Sequence, residues 1–87
     1  MQHYIIERIT DRTGRDRTET EYQKRVGREG CLMEAQIGSP MRFAYVEPDT
    51  GVLTTSPISH LSRRGRVVSV KTLHSTYYLR ALEAEDP

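Results

Sequence analysis

Arg63, Arg64 and Arg66 place three guanidinium groups within four residues, around Gly65. A guanidinium makes planar, paired bonds to phosphate or carboxylate and stacks on flat rings. The glycine lets the backbone approach a ligand closely. From Thr50 to Leu82 there is no Asp or Glu, yet the segment carries Arg63, Arg64, Arg66, Lys71 and Arg80, with His60 and His74 besides. The chain as a whole sets 13 Lys and Arg against 12 Asp and Glu, net +1, so a near-neutral total hides a segment of +5 from five cations and no acid. Such a field attracts phosphate or an acidic protein surface. If nothing binds there, the same residues are a solvated turn, balanced by Glu83, Glu85 and Asp86 or by the acidic residues near the N-terminus.

Hydroxyls accompany these cations. Thr54, Thr55 and Ser56, and across a hairpin Ser75 and Thr76, are expected to form a patch near the arginines that could donate to and accept from a phosphate, a ribose or a base edge. The competing explanation is that Thr on a half-exposed strand is simply a good β-former. Tyr45, Tyr77 and Tyr78 add flat amphipathic surface. Tyr77 and Tyr78 are consecutive in a strand and point to opposite faces, so one is core and the other exposed. An exposed Tyr beside Arg can stack a base or anchor a protein interface. The candidate ligand-binding residues are Arg63, Arg64, Arg66, Lys71, Thr54, Thr55, Ser56, Ser75, Thr76 and Tyr78.

Other chemistries find little support. His3, His60, His74 and Cys31 are the only His and Cys residues, and none stands at the close spacing of a zinc site. Cys31 falls in an alternating apolar run, which predicts a buried, inert thiol rather than a nucleophile. Most carboxylates crowd the polar N-terminal region, where no burial would raise a pKa for acid–base work. Gly27-Arg28-Glu29-Gly30 has the GXXG form of a backbone-clamping loop, but that loop needs a helix on each side, and a glycine-punctuated turn explains it. The expectation is no enzyme, no metal and no cofactor.

The elements that would position these residues read as strands. Apolar residues alternate instead of recurring at helical spacing, and β-branched types are frequent. Met1 to Thr10 reads as a first strand with Tyr4, Ile6 and Ile9 inward. Residues 11–21 form a polar, exposed loop or ribbon, and Tyr22 to Val26 an edge strand. Cys31, Met33, Ala35 and Ile37 are expected on one buried face. Met41, Phe43 and Tyr45 alternate in the next strand. Pro48 to Gly51 is a strong turn signal. Val52 to Ser56 is a short strand that Pro57 ends, with Ile58 to Leu61 a turn of 3₁₀ helix. Val68, Val70 and Thr72 share a face of one strand, and Tyr77, Leu79 and Ala81 a face of the last. Residues 83–87 are a frayed acidic tail.

Residues 1–87 therefore make a single all-β domain: a small SH3-like barrel, or an OB-type one, of five or six short strands. No apolar run approaches the roughly 20 residues of a membrane span. Glu7 and Arg8 interrupt the segment where a secretory signal would be apolar. A lone cysteine allows no intrachain disulfide, which fits the cytoplasm. A core this small, without a covalent staple, also leads one to expect a homo-oligomer.

The segments VGREGCLMEAQIGSPMRFAYVEP, GVLTTSPI and GRVVSVKTLHSTYYL resemble small β-barrel proteins of phages and mobile elements of Firmicutes. In those a strand ending in Thr-Ser precedes a last hairpin of the form Val-x-Thr-x-Asn-Ser-x-Tyr-x-Leu. Here it runs from Val70 to Leu79, with His74 in place of Asn. The resemblance implies a phage-encoded protein acting in the host cytoplasm and assigns no functional residue. Combined with the basic segment, the expected function is non-catalytic binding of a phosphate-bearing ligand, either a nucleotide signal of host defence or nucleic acid. The alternative is a protein inhibitor that occupies a nucleic-acid-binding groove of a host defence protein.

Overall fold

The computed structural model describes residues 2–46 and 50–82. Six strands, β1 (His3–Thr10), β2 (Glu29–Glu34), β3 (Pro40–Tyr45), β4 (Gly51–Arg64), β5 (Val67–Thr72) and β6 (Thr76–Ala81), pair antiparallel in sequence order, and β6 returns to β1 to close a barrel. One helical turn, α1 (Thr20–Gln23), lies between β1 and β2. This is the small all-β barrel the alternation predicts. The Pro48–Gly51 turn and the acidic tail at 83–87 fall outside the described residues, the former for Pro48 and Asp49.

The core is Phe43, Ile6, Ile9, Met41, Ile58, Val70 and Leu79, all essentially inaccessible to solvent, with Tyr4, Leu53, Val68 and Tyr77 around them. The inward sets expected for β1, β3, β5 and β6 point inward. In β1 a bulge between Ile6 and Arg8 absorbs one residue, so Ile6 and Ile9 both face the core although they are three apart.

Three expectations fail, each for a steric reason. In β2 the inward positions are Gly30 and Leu32, while Met33 and Ile37 are 55% and 67% exposed and Cys31 is only half-buried. Glycine has no side chain to reveal which way it points. The Phe43 ring fills the space above it: a Cβ on Gly30 would lie 2.6 Å from Phe43 Cε2 and 2.4 Å from the Ala44 carbonyl oxygen. A second bulge, between Leu32 and Glu34, shifts the alternation again. The alternating reading thus took the wrong face for Cys31, Met33 and Ile37, while Ala35, past the bulge, packs against the core.

Residues 22–26 are not an edge strand. Gln23 N and Lys24 N donate to Glu19 O and Thr20 O at 3.0 Å each, closing a helical turn. That turn brings Tyr22 against the core. β2 pairs β1 only from His3 to Ile5, and beyond that the connection itself holds the edge, with Gly27 N donating to Ile6 O at 2.7 Å and Arg17 N to Ile9 O at 2.9 Å.

Nor does Pro57 end its strand or begin a 3₁₀ turn. β4 runs unbroken for 14 residues and changes partner at the proline: Gly51 to Pro57 pair with β3, and Ile58 to Arg64 pair with β5. Pro57 stands opposite Pro40, between bulges at Pro40/Arg42 and Ile58/His60. At such a corner the missing N–H costs no ladder bond.

Replacing Gly30 with Ala is expected to destabilise the barrel by about 1–3 kcal/mol through overpacking. At about 4–8 °C per kcal/mol for a domain of this size, a thermal melt followed by circular dichroism reads this directly. Gly51→Ala, where nothing lies within 4 Å of the added Cβ, should leave the midpoint nearly unchanged.

Candidate functional site

Strand register, more than sequence proximity, decides which of the candidate residues meet. Arg64 and Val67 close the β4–β5 hairpin, and Gly65 has φ +58° while Arg66 does not share a positive φ, the sign pattern of a type II′ turn. The arginines diverge there. Arg63 pairs with Val68 on the inward side and its Nη2 donates to the Tyr4 hydroxyl at 3.2 Å. It lines a cavity of ≈ 320 Å³ with Tyr4, Leu32, Ala35 and Leu61. Arg64 is on the outward side, beside Val67. Arg66 sits in the turn, its carbonyl accepting from Ala81 N at 2.7 Å. Three guanidiniums adjacent in sequence do not converge on one anion.

The expected hydroxyl patch lies elsewhere and is largely consumed by the fold. Thr55 Oγ1 accepts from Met41 N at 3.0 Å and donates to Ser56 O at 2.8 Å. Ser56 Oγ accepts from Leu73 N at 3.2 Å. Ser75 is buried: its N–H donates to Thr72 Oγ1 at 3.3 Å, its carbonyl accepts from Thr72 Oγ1 at 3.0 Å, and its Oγ accepts from Arg17 Nε at 3.3 Å. Thr54 is exposed opposite Arg42. The patch is at the far end of β5 from the arginine turn. Arg66 to Lys71 is five residues, or about 17 Å at 3.3–3.4 Å each.

What the register does bring together is an outward face across β4, β5, β6 and β1. Arg64, Val67, Arg80 and Ile5 form one row, followed by Ser62, Ser69, Tyr78 and Arg8, then His60, Lys71 and Thr76, whose register partner Thr10 is buried. Arg64, Lys71, Thr76 and Tyr78 were expected from sequence. Arg8, Arg80, His60, Ser62 and Ser69 were not. Arg80 could have been added from its two-residue spacing to Tyr78. Arg8 could not, because the bulge at Glu7 is what sets it opposite Tyr78.

Tyr78 occupies the middle of this face, with the Arg8 guanidinium 5.8 Å from its ring centroid. Its neighbour Tyr77 points inward, 3% exposed, and its hydroxyl accepts from Arg25 Nη1 at 2.8 Å. Burial pushes the Tyr77 phenol pKa up, with Arg25 opposing. Two cations of the face are paired: Arg80 with Glu7 at 2.9 Å, and Arg8 with Asp16. Each carboxylate raises the pKa of its guanidinium. Arg64 and Lys71 have no such partner among the described residues.

The rim beside Thr10 is shaped by Asp11. Its carboxylate accepts from Thr13 N at 2.8 Å, Thr13 Oγ1 at 2.7 Å and Arg15 N at 3.1 Å, holding the turn that carries Arg12. These bonds, the Thr13 hydroxyl foremost, hold the Asp11 carboxyl below its ordinary value. Arg17 and Arg25 lie 4.9 and 4.8 Å from the Tyr22 ring centroid and pin the rest of this connection to the barrel.

For other chemistries the geometry offers little. Among the described residues no three His, Cys, Asp or Glu side chains come close enough to hold a metal ion, and no helix is long and apolar enough to cross a membrane. His3 Nδ1 and Glu29 Oε2 lie 2.6 Å apart on the outside of the barrel, and Cys31 is the register partner of His3. Residues 27–30 run from the α1–β2 connection into the start of β2, without the second helix of a GXXG clamp. Comparison with known proteins finds no matching family model, no matching curated relative and no matching solved structure.

A carboxyl with a depressed folded pKa supports the fold above its unfolded pKa and loses that support as pH falls through the folded value. Asp11 should therefore titrate below the ordinary carboxylate range in an NMR pH series. In Asp11→Ala, the Thr13 and Arg15 amides should lose hydrogen-exchange protection while β5 and β6 amides keep theirs.

Proposed function

We propose that this chain is a non-catalytic binding protein that takes a single-stranded nucleic acid across the outer face of β4, β5, β6 and β1. The observation that carries the reading is the position of Tyr78, outward at the centre of a sheet whose surrounding side chains are Arg8, Arg64, Arg80, Lys71, His60, Ser62, Ser69 and Thr76. Cations attract the strand's phosphates, hydroxyls offer bonds to sugar and base, and a flat ring stacks a base of any sequence. Four-stranded sheets that present outward aromatics stack two or three bases in this way. An exposed face of the barrel suits an extended strand better than a small nucleotide signal, which an enclosed pocket would bury.

The hairpin resemblance adds a setting: a phage-encoded protein working in the host cytoplasm, on nucleic acid that host defence also handles. Occupying a nucleic-acid-binding groove of a host protein calls for an acidic surface to match the groove, and this face has the opposite sign. Self-association belongs to the same proposal. Met33 and Ile37 are exposed large apolar side chains, and sedimentation at micromolar concentration should show a species heavier than a 10.0 kDa monomer.

Fluorescence anisotropy with a labelled single-stranded oligonucleotide tests the face. Loss of one stacking ring is worth about 1–3 kcal/mol, so Tyr78→Ala should weaken binding roughly 5- to 150-fold. Lys71→Gln should lower the slope of log affinity against log salt by about 0.7. Unchanged affinity in a folded Tyr78→Ala protein removes the reading.

A further inference from the structure

At the foot of the outer face, where its last row ends, a cavity of ≈ 440 Å³ is lined by Arg12, Pro57, Ile58, Ser59, His60, Lys71, Thr72 and Leu73. Three of these can carry positive charge, and they come from three places in the chain. Arg12 is delivered by the Asp11 turn, His60 by β4 after its bulge, and Lys71 by β5. His60 and Lys71 are direct register partners, so their Cα atoms are about 5 Å apart. Among the described residues no carboxylate lines this cavity. The concavity around Tyr78 differs, because Glu7 and Asp16 line it and engage Arg80 and Arg8. The positive groups without a described carboxylate partner therefore lie at the two edges of the face, Arg64 alone at one and this cluster at the foot, and not at its centre.

The polar side chains are also ordered. Ser59 Oγ donates to Lys71 O at 3.3 Å and lies 3.2 Å from His60 Nδ1. With its proton committed to that carbonyl, the serine oxygen accepts from Nδ1–H. The imidazole is thereby held by one nitrogen, and Nε2 has no described partner. Pro57, Ile58 and Leu73 supply apolar walls, which lower local screening and strengthen charge-assisted bonds inside.

We propose that this cavity is a phosphate site, held by Arg12, His60 and Lys71, which receives the terminal phosphate monoester of the strand bound across the face. The inference rests on the nucleic-acid reading for its ligand and not for its chemistry. A terminal monoester carries up to two negative charges where an internal diester carries one, and a cluster of Arg12, Lys71 and the His60 imidazole, with no described carboxylate lining it, discriminates on that difference. From Lys71 to Tyr78 is two residues along the strand and one strand across, roughly 8 Å. A phosphate seated here therefore leaves the adjoining nucleotide within reach of the Tyr78 ring.

The test uses one oligonucleotide sequence in three forms, 5′-phosphorylated, 3′-phosphorylated and with both ends hydroxyl, together with inorganic phosphate. One phosphorylated form should bind at least tenfold tighter than the hydroxyl form, and Arg12→Ala should erase that advantage. Inorganic phosphate should shift the NMR signals of Ser59, His60 and Lys71 saturably in the unmodified protein and not in Arg12→Ala, whose remaining spectrum reports an intact barrel. If all three strands bind equally and phosphate shifts nothing, the face stands and the phosphate site is wrong. If phosphate titrates at these residues while no strand binds, the site stands and the nucleic-acid reading is wrong.

Discussion

The barrel closes because β4 changes partners at Pro57. Gly51 to Pro57 complete one ladder with β3, and Ile58 to Arg64 begin another with β5. An 87-residue chain has too little apolar surface for two complete sheets packed face to face, so one strand serves both halves of the fold. The corner is built from a residue that needs no ladder N–H, set opposite a second proline and flanked by bulges. The consequences reach the surface. The bulge before His60 sets that residue beside Lys71, and the second half of β4 extends the outer face by a strand.

Charge is distributed by what the arginines do inside the fold. Of the 13 basic residues 11 are Arg, and several have structural work. Arg17 bonds Ser75 and flanks Tyr22, Arg25 bonds the Tyr77 hydroxyl, and Arg63 bonds Tyr4. Arg28 lies 4.1 Å from the Tyr45 ring centroid. A guanidinium suits these places because it stacks on a ring and donates in its own plane at once. Counting basic residues along the chain therefore overstates the charge any one surface presents.

The acids of the N-terminal half complete the pattern. Glu7 and Asp16 reach the outer face and pair with Arg80 and Arg8, worth little in stability because the pairs are exposed. They do confine the unpaired positive charge to Arg64 at one edge and to the Lys71 end at the other. The centre, where Tyr78 stands, is electrostatically milder and more suited to stacking than to phosphate.

Much of the fold was legible in the sequence. Alternation in β1, β3, β5 and β6 identified the strands and their inward residues, because side chains in a strand have a strict period of two and apolar ones are driven inward. The polar stretch after Thr10 and the basic segment without acids were equally plain. The inward side of β2 was hidden, because Gly30 carries no side chain and its place is filled by Phe43 from the neighbouring strand. The continuation of β4 past Pro57 was hidden because a proline reads as a stop unless its N–H already faces away from a ladder. The candidate site was half legible: Arg64, Lys71, Thr76 and Tyr78 could be named, while Arg8 and His60 joined them only through bulges that shift register by one residue. Sequence determines which residues alternate. Only the closed barrel, by fixing which strands are neighbours and where each bulge falls, decided which side chains share a surface.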